Sequence, residues 1–370
     1  MEICHDGLLT FTRGVEKCLV AVGPSVNEEI SAVAKLPAPD ADGFDFSVGR
    51  KAVVRSIERY PSGEGDETFE ITSEGGDKIT IAVKAETSRR FPAGSSINIA
   101  FTLNSLGISD IGVVAPIGTG KTGKFLERAM LERKLKLLLF ERQGTALSLS
   151  IRDPSTGEST VFCEKPPYKI SEDILNRLRT FTPRVVFAAS VKPMDLETVG
   201  AVFDGTQICV FMPNSELIRS QLHRQDLMSL ISRSSIVQMN DDEAEGLLGG
   251  QFNAENAHER IKEFESYSQN IIIVTLGKYG AIMLEKGGVP VLQPAFPVEA
   301  KDQTGAGDIH LAAFVYYYCL RGKKPPIEVC LRMAGWIAAR KVANIGPWSG
   351  IPSREERKAK LLEWWKDYPK

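Results

Sequence analysis

Metal and disulfide chemistry have little to work with in this sequence. Six cysteines are scattered through 370 residues, none in a C-x-x-C pair, and the four histidines include no i, i+4 pair. The scatter argues against a disulfide framework or a zinc cluster as an organising feature. Charge of one sign is missing too. Lys plus Arg total 45 against 47 Asp plus Glu, a formal charge of −2, so there is no broad basic field for nucleic acid or an anionic membrane. A small basic pocket remains compatible with that balance. Long hydrophobic runs are absent as well. The longest, Leu311 to Leu320, holds three tyrosines and ends in Arg321-Gly-Lys-Lys, well short of the ~20 residues of a membrane span. Glu2, His5 and Asp6 stand at the N-terminus without an apolar h-region, unlike a signal peptide. The expectation is a cytoplasmic soluble protein that binds neither nucleic acid nor membrane.

What is present is an ordinary globular composition, 43% hydrophobic and 25% charged, enough for a sizeable core. Cys18-Leu-Val-Ala-Val-Gly reads as a first buried strand. A stretch from about Leu36 to Arg90 is rich in Gly, Asp and Glu and carries period-2 segments at 51–57, 68–72 and 78–83. Such alternation predicts half-solvated antiparallel strands, hence a small inserted β subdomain. A hairpin-like pair, 146–151 and 159–163 around Asp153-Pro-Ser-Thr-Gly, is a candidate to join it. From Phe91 onward, apolar runs at 111–115, 184–189, 207–211, 236–239 and 271–275 alternate with helical patterns at 123–139, 217–232, 241–248 and 254–266. That rhythm predicts a mostly parallel sheet covered on both faces. Ligands of such sheets bind beyond the carboxyl ends of the strands.

The strongest motif is Asp302-Gln-Thr-Gly-Ala-Gly-Asp308, followed by an amphipathic helical pattern from 309 to 320. Gly305, Ala306 and Gly307 then form a turn at a helix N-terminus, where small residues and the helix dipole suit an anion. Asp308 is placed to take a proton from an alcohol, or simply to cap the helix. Asn240-Asp-Asp-Glu243 follows a strand; it reads as a capping box, or as a pair ordering Mg²⁺ and its waters around phosphates. Phe91-Pro-Ala-Gly94-Ser-Ser-Ile-Asn98 is a small-residue turn feeding a helix, with Asn98 in the first turn. Val274-Thr275-Leu-Gly277-Lys-Tyr-Gly280 ends a buried strand in a glycine turn suited to a ligand or to a plain hairpin. Ala115-Pro-Ile-Gly-Thr-Gly-Lys121-Thr122 mimics a P-loop. It lacks the first glycine, and Pro116 removes a backbone donor, so Lys121 is expected on an exposed turn.

Taken in order, these motifs resemble the ribokinase-like (PfkB) carbohydrate kinase family from about Cys18 to Pro352. Asp302 to Asp308 is similar to that family's D-T-x-G-A-G-D, Asn240 to Glu243 to its N-x-x-E, and Val274 to Gly280 to its V-T-x-G-x-x-G. Ala93 to Asn98 resembles its glycine-rich substrate segment, and Gly112 to Leu126 its strand, glycine turn and helix. The resemblance implies an α/β fold, a three-layer α/β/α ribokinase-like domain with a central mostly parallel sheet and an inserted β-sheet lid. The division it suggests is 17–36 and 91–365 for the α/β domain and 37–90 for the lid, with the hairpin 144–163 as an addition. It also implies transfer of a phosphoryl group from ATP, with Mg²⁺, to a hydroxyl of a sugar or small polyol.

Carried over by position, Asp308 would be the base and Gly305, Ala306 and Gly307 the anion hole. Asn240, Thr275, Gly277 and Gly280 would line the nucleotide site, with Glu243 meeting Mg²⁺ through water. Gly94 and Asn98 would hold the substrate, helped by Glu28 and Asn27. Asp302 and Thr304 match positions near a monovalent cation site in some members, which implies a K⁺ effect. A lid of this kind also suggests a homodimer formed through its unpaired edges and apolar face. The chain departs from the pattern at several places. Glu28 stands later than the usual acidic residue, Ala93 replaces a glycine, Met212 an aspartate, Gln303 a threonine and His310 an aromatic, and the inserted segment is long. The alternatives are a nucleoside kinase of the same fold, a catalytically silent binding or scaffold member, and a P-loop NTPase. Few aromatics in the lid, Phe44, Phe46, Tyr60 and Phe69, favour a sugar over a nucleoside.

Overall fold

The computed structural model describes residues 19–22, 27–33, 51–61, 66–84, 87–141, 145–152, 159–164, 176, 183–267, 270–322 and 324–366. Nine strands make the main sheet: β1 (Leu19–Val22), β8 (Ile111–Ile117), β9 (Lys136–Glu141), β12 (Val185–Ala189), β13 (Ile208–Met212), β14 (Ile236–Asn240), β15 (Ile271–Thr275), β16 (Ala281–Glu285) and β17 (Val291–Gln293). Their order is β17-β16-β15-β14-β13-β12-β1-β8-β9. All pairings from β9 to β15 are parallel; the pairings β15-β16 and β16-β17 are antiparallel, so only β16 runs against the rest. The chain moves outward one way from β1 through β8 to β9, then returns to add β12, β13, β14 and β15 on the other side. The switch point therefore lies where β1 and β12 end, the place such sheets reserve for ligands.

Period-2 patterning builds the two faces. Val185, Phe187 and Ala189 point into one cluster with Ile271 and Ile273. Val186 and Ala188 point into the other with Ile272 and Val274. Helices α1 (Ser95–Leu106), α2 (Lys121–Glu132), α8 (Ala306–Val315), α9 (Ile327–Val342) and α10 (Arg354–Trp365) contribute to the first face. The second is covered by α3 (Leu196–Phe203), α4 (Ser215–Arg219), α5 (Arg224–Arg233), α6 (Asp241–Leu248) and α7 (Ala257–Arg260). This is the three-layer α/β/α arrangement. Among the described residues, no helix is long and apolar enough to cross a membrane.

The smaller β portion is two sheets. One has the order β3-β11-β10-β2-β7, from β2 (Asn27–Val33), β3 (Lys51–Val54), β7 (Arg89–Ala93), β10 (Ala146–Arg152) and β11 (Ser159–Glu164). The other is an antiparallel meander of β4 (Ser56–Pro61), β5 (Glu67–Thr72) and β6 (Lys78–Val83). Ile57, Phe69, Ile71, Ile79 and Ile81 of the meander pack against Val54, Leu149, Ile151 and Phe162 of the five-stranded sheet. The lid thus has a core of its own, and its apolar face is filled from within the chain.

Several sequence expectations shift. Residues 27–33 were placed with the α/β domain, yet β2 pairs with β10 and β7 in the lid sheet. Asn-Glu-Glu-Ile-Ser-Ala-Val lacks the continuous apolar run of a strand buried on both faces. The expected strand 51–57 is split at Arg55, so β3 pairs with β11 and β4 with β5. The helical pattern 123–139 ends at Glu132; Lys134 takes φ 58°, and Leu137 to Phe140 continue as the edge strand β9 beside β8. The pattern 217–232 breaks at Ser220, and 254–266 is helical only from Ala257, tightening to a 3₁₀ run at 261–266. The amphipathic helix foreseen for 309–320 is buried all round from Asp308 to Val315, because α1 and α9 cover its outer side, and it widens to a π-turn at Tyr316–Leu320. The hairpin turn 153–158, the lid segment 37–50 with Phe44 and Phe46, and the side chains of Asn27 and Glu28 lie outside the described residues.

Phe69 is fully buried between the lid sheets. Phe69→Ala is expected to cost about 3–5 kcal/mol of lid stability. Amide hydrogen exchange should speed up across β5 and β10 while β14 and β15 exchange as before.

Candidate active site

Two helix N-termini meet beyond the carboxyl ends of the strands. Helix α1 starts after Gly94 and α8 after Gly305, and the two helices pack together. Asn98 and Asp308, each in the first turn of its helix, are both buried. The Asn98 Nδ2 donates to Asp308 Oδ2 at 2.7 Å. This contact joins residues 210 positions apart and fixes the carboxylate's orientation at the positive end of α8. Asn98 Oδ1 is left as a buried acceptor with no hydrogen-bond partner among the described residues. At the switch point itself, Ser190 follows β12 with φ 54° and its hydroxyl lies 3.0 Å from that of Ser95, the first residue of α1. In β2, Asn27 and Glu28 stand opposite Ala93 and Pro92, beside Gly94.

The turn before Asp308 is tightly held. Gly305 sits at φ 74°, and a Cβ there would lie 2.4 Å from the Pro347 carbonyl and 3.0 Å from Asn98 Nδ2, so both conformation and space demand glycine. The Ala306 N–H donates to the Gln303 carbonyl. The N–H groups that follow open the helix, and no in-helix carbonyl faces them. From behind, Gln238 Nε2 donates to the Gly307 carbonyl at 2.8 Å, and Gln238 Oε1 faces His310 Nδ1, also at 2.8 Å. A carbonyl only accepts, so the carboxamide is oriented by Gly307 and His310 must carry its proton on Nδ1. Burial holds His310 neutral, its pKa pushed down to about 4. Gln238 was missed by sequence reasoning. One weak signal marked it, an amide inside the otherwise apolar strand Ile236-Val-Gln-Met.

Asn240 and Thr275 are register neighbours at the ends of β14 and β15. Asn240 and Glu243 form a reciprocal capping box on α6: Asn240 Oδ1 accepts the Glu243 N–H at 2.7 Å, and Glu243 Oε2 accepts the Asn240 N–H at 3.0 Å. Burial pushes the Glu243 carboxyl up to about 7, partly offset by the Asn240 N–H and the Ser215 hydroxyl. No group of three His, Cys, Asp or Glu side chains suited to a metal occurs among the described residues. The donor set at this strand end is the one Glu243 carboxylate, which suits a hard cation held mainly by water and phosphate oxygens. Gly277 opens a 3₁₀ turn, and Gly280 packs against the Gln293 carbonyl, which a Cβ would meet at 2.0 Å.

The P-loop lookalike is closed. The Gly118 N–H donates to Thr145 Oγ1, and a Cβ on Gly123 would strike the Gly118 carbonyl at 1.6 Å, so the Gly118 donor is already engaged and its carbonyl packs on the helix. Lys121 is exposed.

Asp302 is the hinge of the turn. Its Oδ1 accepts the Thr304 N–H and its Oδ2 the Gly346 N–H, each at 2.8 Å. Lys341 Nζ donates to the Asp302 carbonyl at 2.7 Å and lies 3.5 Å from Oδ1. Lys341 is 0% exposed, and sequence reasoning did not single it out.

A family model described as pfkB family carbohydrate kinase matches residues 72–354. The ATP-dependent 6-phosphofructokinase of Thermoanaerobacterium thermosaccharolyticum is 26% identical over 281 residues, covering 73% of this chain and 84% of that protein. Arabidopsis thaliana ribokinase complexed with ribose and ATP superposes with TM-score 0.65 at 19% identity, over 93% of this chain and 98% of that one. Phosphofructokinase-2 of Escherichia coli in complex with potassium gives TM-score 0.64 at 14% identity, over 94% and 99%.

Two titrations of opposite sign follow. The buried His310 binds a proton less readily folded than unfolded, so its contribution is complete above about pH 6.5 and is lost as pH falls toward 4. His310→Phe leaves Gln238 Oε1 without its donor and is expected to lose about 1–3 kcal/mol at neutral pH. The wild-type advantage in Tm should shrink steadily as the pH is lowered to 4. Glu243 behaves conversely. Its carboxyl binds a proton more readily folded, so its contribution is full below 4.5 and is lost as pH rises through about 7. Glutamine can fill the same capping box, and the Tm of Glu243→Gln should climb relative to wild type across that interval.

Proposed function

Because the chain belongs to the pfkB family of carbohydrate kinases, we propose that it transfers the γ-phosphoryl of ATP to a hydroxyl of a sugar or small sugar derivative, with Asp308 as the base. The observation that carries this reading is the buried Asp308 carboxylate at the mouth of α8, oriented by Asn98 within a turn that admits no side chain at Gly305. Phosphoryl transfer needs positioning and charge stabilisation more than covalent help. The N–H groups opening α8 would hold the phosphoryl oxygens as charge develops there. Asp308 would accept the proton of the attacking hydroxyl. Asn98 Oδ1, buried without a partner among the described residues, would accept a hydrogen bond from the acceptor molecule. Mg²⁺ bound with ATP supplies charge neutralisation on the phosphates, and Asn240 and Glu243 would hold its waters. Thr275 and Gly277 would border the nucleotide, and Glu28 and Asn27, carried on the lid strand beside Gly94, would meet the substrate.

Among the described lid aromatics, Phe69 is locked in the inter-sheet core and Tyr60 is exposed on the outer strand β4, which supports a polyol over a nucleoside. With the face between the two lid sheets filled, a homodimer through the lid would use a sheet edge, β3 or β7 of one sheet or β4 or β6 of the other. Arg89, Arg90 and Pro92 of β7 oppose edge-to-edge pairing.

The test is ADP release from Mg-ATP across sugars, sugar acids, polyols and nucleosides. Acceptor-dependent release is expected, and Asp308→Asn should lower it about 10²–10⁴-fold with ATP binding by calorimetry retained. A variant as active as wild type would remove Asp308 from the role of base.

A further inference from the structure

Lys341 directs its side-chain nitrogen at Asp302 from inside the loop that carries the anion turn. It is the penultimate residue of α9 and is 0% exposed. Burying an ammonium costs several kcal/mol unless good partners meet it, and here they are specific: the Asp302 carbonyl at 2.7 Å and Oδ1 at 3.5 Å. The same carboxylate binds the Thr304 N–H on the turn side and the Gly346 N–H on the other. Backbone bonds from Lys301 and Asp302 to the Val342 carbonyl close the junction. One residue past Gly346, the Pro347 carbonyl presses on Gly305. The lysine thus pins together the strand of chain leading into the turn and the loop that walls it.

A neighbour of the same fold is recorded in complex with potassium, and the motif around Asp302 and Thr304 raised the same cation for this chain. A monovalent cation at this loop would need carbonyl and carboxylate oxygens such as Asp302 O and Oδ1. Both already face the Lys341 ammonium. The two species carry the same charge and seek the same oxygen donors, so they compete for one position. The residues present therefore do not fit K⁺.

We propose that Lys341 is the built-in monovalent cation of this loop, a positioning residue whose ammonium replaces K⁺ at Asp302 and makes the anion turn independent of alkali metal. The catalytic consequence rests on the kinase reading; the occupancy of the position does not.

The experiment compares K⁺ with choline at matched ionic strength on the full-length protein. It uses three readouts: Tm, ²⁰⁵Tl NMR of Tl⁺ as a K⁺ probe, and acceptor-dependent ADP release. Wild type should show the same Tm in both salts, no bound Tl⁺ resonance and equal kcat/KM. Lys341→Met, which keeps the stem and removes the charge, should lose stability and recover it saturably with K⁺ but not choline, with a bound Tl⁺ resonance appearing. A saturable rise of wild-type Tm with K⁺, a bound Tl⁺ resonance in wild type, or a several-fold gain in kcat/KM with K⁺ over choline would overturn the proposal. So would a folded Lys341→Met that is indifferent to K⁺. Should that variant fail to fold, the wild-type comparison decides alone. Should no acceptor be phosphorylated, the kinase reading fails while Tm and Tl⁺ binding still decide the occupancy.

Discussion

Two packed helices that start side by side bring like partial charges together at their N-termini, and a carboxylate stands at that junction. Asp308 lies in the first turn of α8, and the amide of Asn98 reaches it from the first turn of α1. An anion at a helix N-terminus is stabilising; one shared between two such termini lets α1 and α8 pack closely. The close packing then dictates the rest. It forces glycine at 305, seats the Pro347 carbonyl over that glycine, and leaves α8 sealed by α1 and α9.

Around this junction the interior changes character. Elsewhere the two faces of the sheet are packed with Val, Ile, Leu and Phe. Behind the turn stand two polar pairs, Gln238 with His310 and Lys341 with Asp302, each joined by a hydrogen bond. Such pairs are costlier than apolar packing and are retained where geometry must be unique. Gln238 holds the carbonyl of Gly307, and Lys341 with Asp302 holds the chain on either side of the turn. Together they set the orientation of backbone N–H groups, which no side-chain substitution could do directly.

The features legible in the sequence were those with a period or a motif. The parallel strands β8 and β12 to β15 announced themselves as apolar runs, and the residues from Asp302 to Asp308 as a glycine turn before a helix. The buried polar residues behind them had neither. Gln238 is a single amide in a strand, and Lys341 falls in the last turn of α9, where a basic residue ordinarily faces solvent. Their meaning depends on contacts across tens to hundreds of residues. Strand β9 was hidden for a different reason: Lys-Leu-Lys-Leu-Leu-Leu suits a helix as well as an edge strand, and only pairing with β8 decides. Asn240 and Glu243 read as capping box or phosphate-side pair; the box is formed, with the Glu243 carboxylate also meeting Ser215, and it leaves the phosphate-side role open to proposal.

The meander β4-β5-β6 covers the apolar side of the lid with residues of the same chain. A sheet that found this cover in another molecule would be ordered by a second-order process, its integrity falling as the protein is diluted. Here the ordering is unimolecular, so the lid keeps its shape at any dilution. Trp348 Nε1, bonded to the Pro92 carbonyl of β7 at 2.9 Å, carries that shape directly to the loop behind the anion turn.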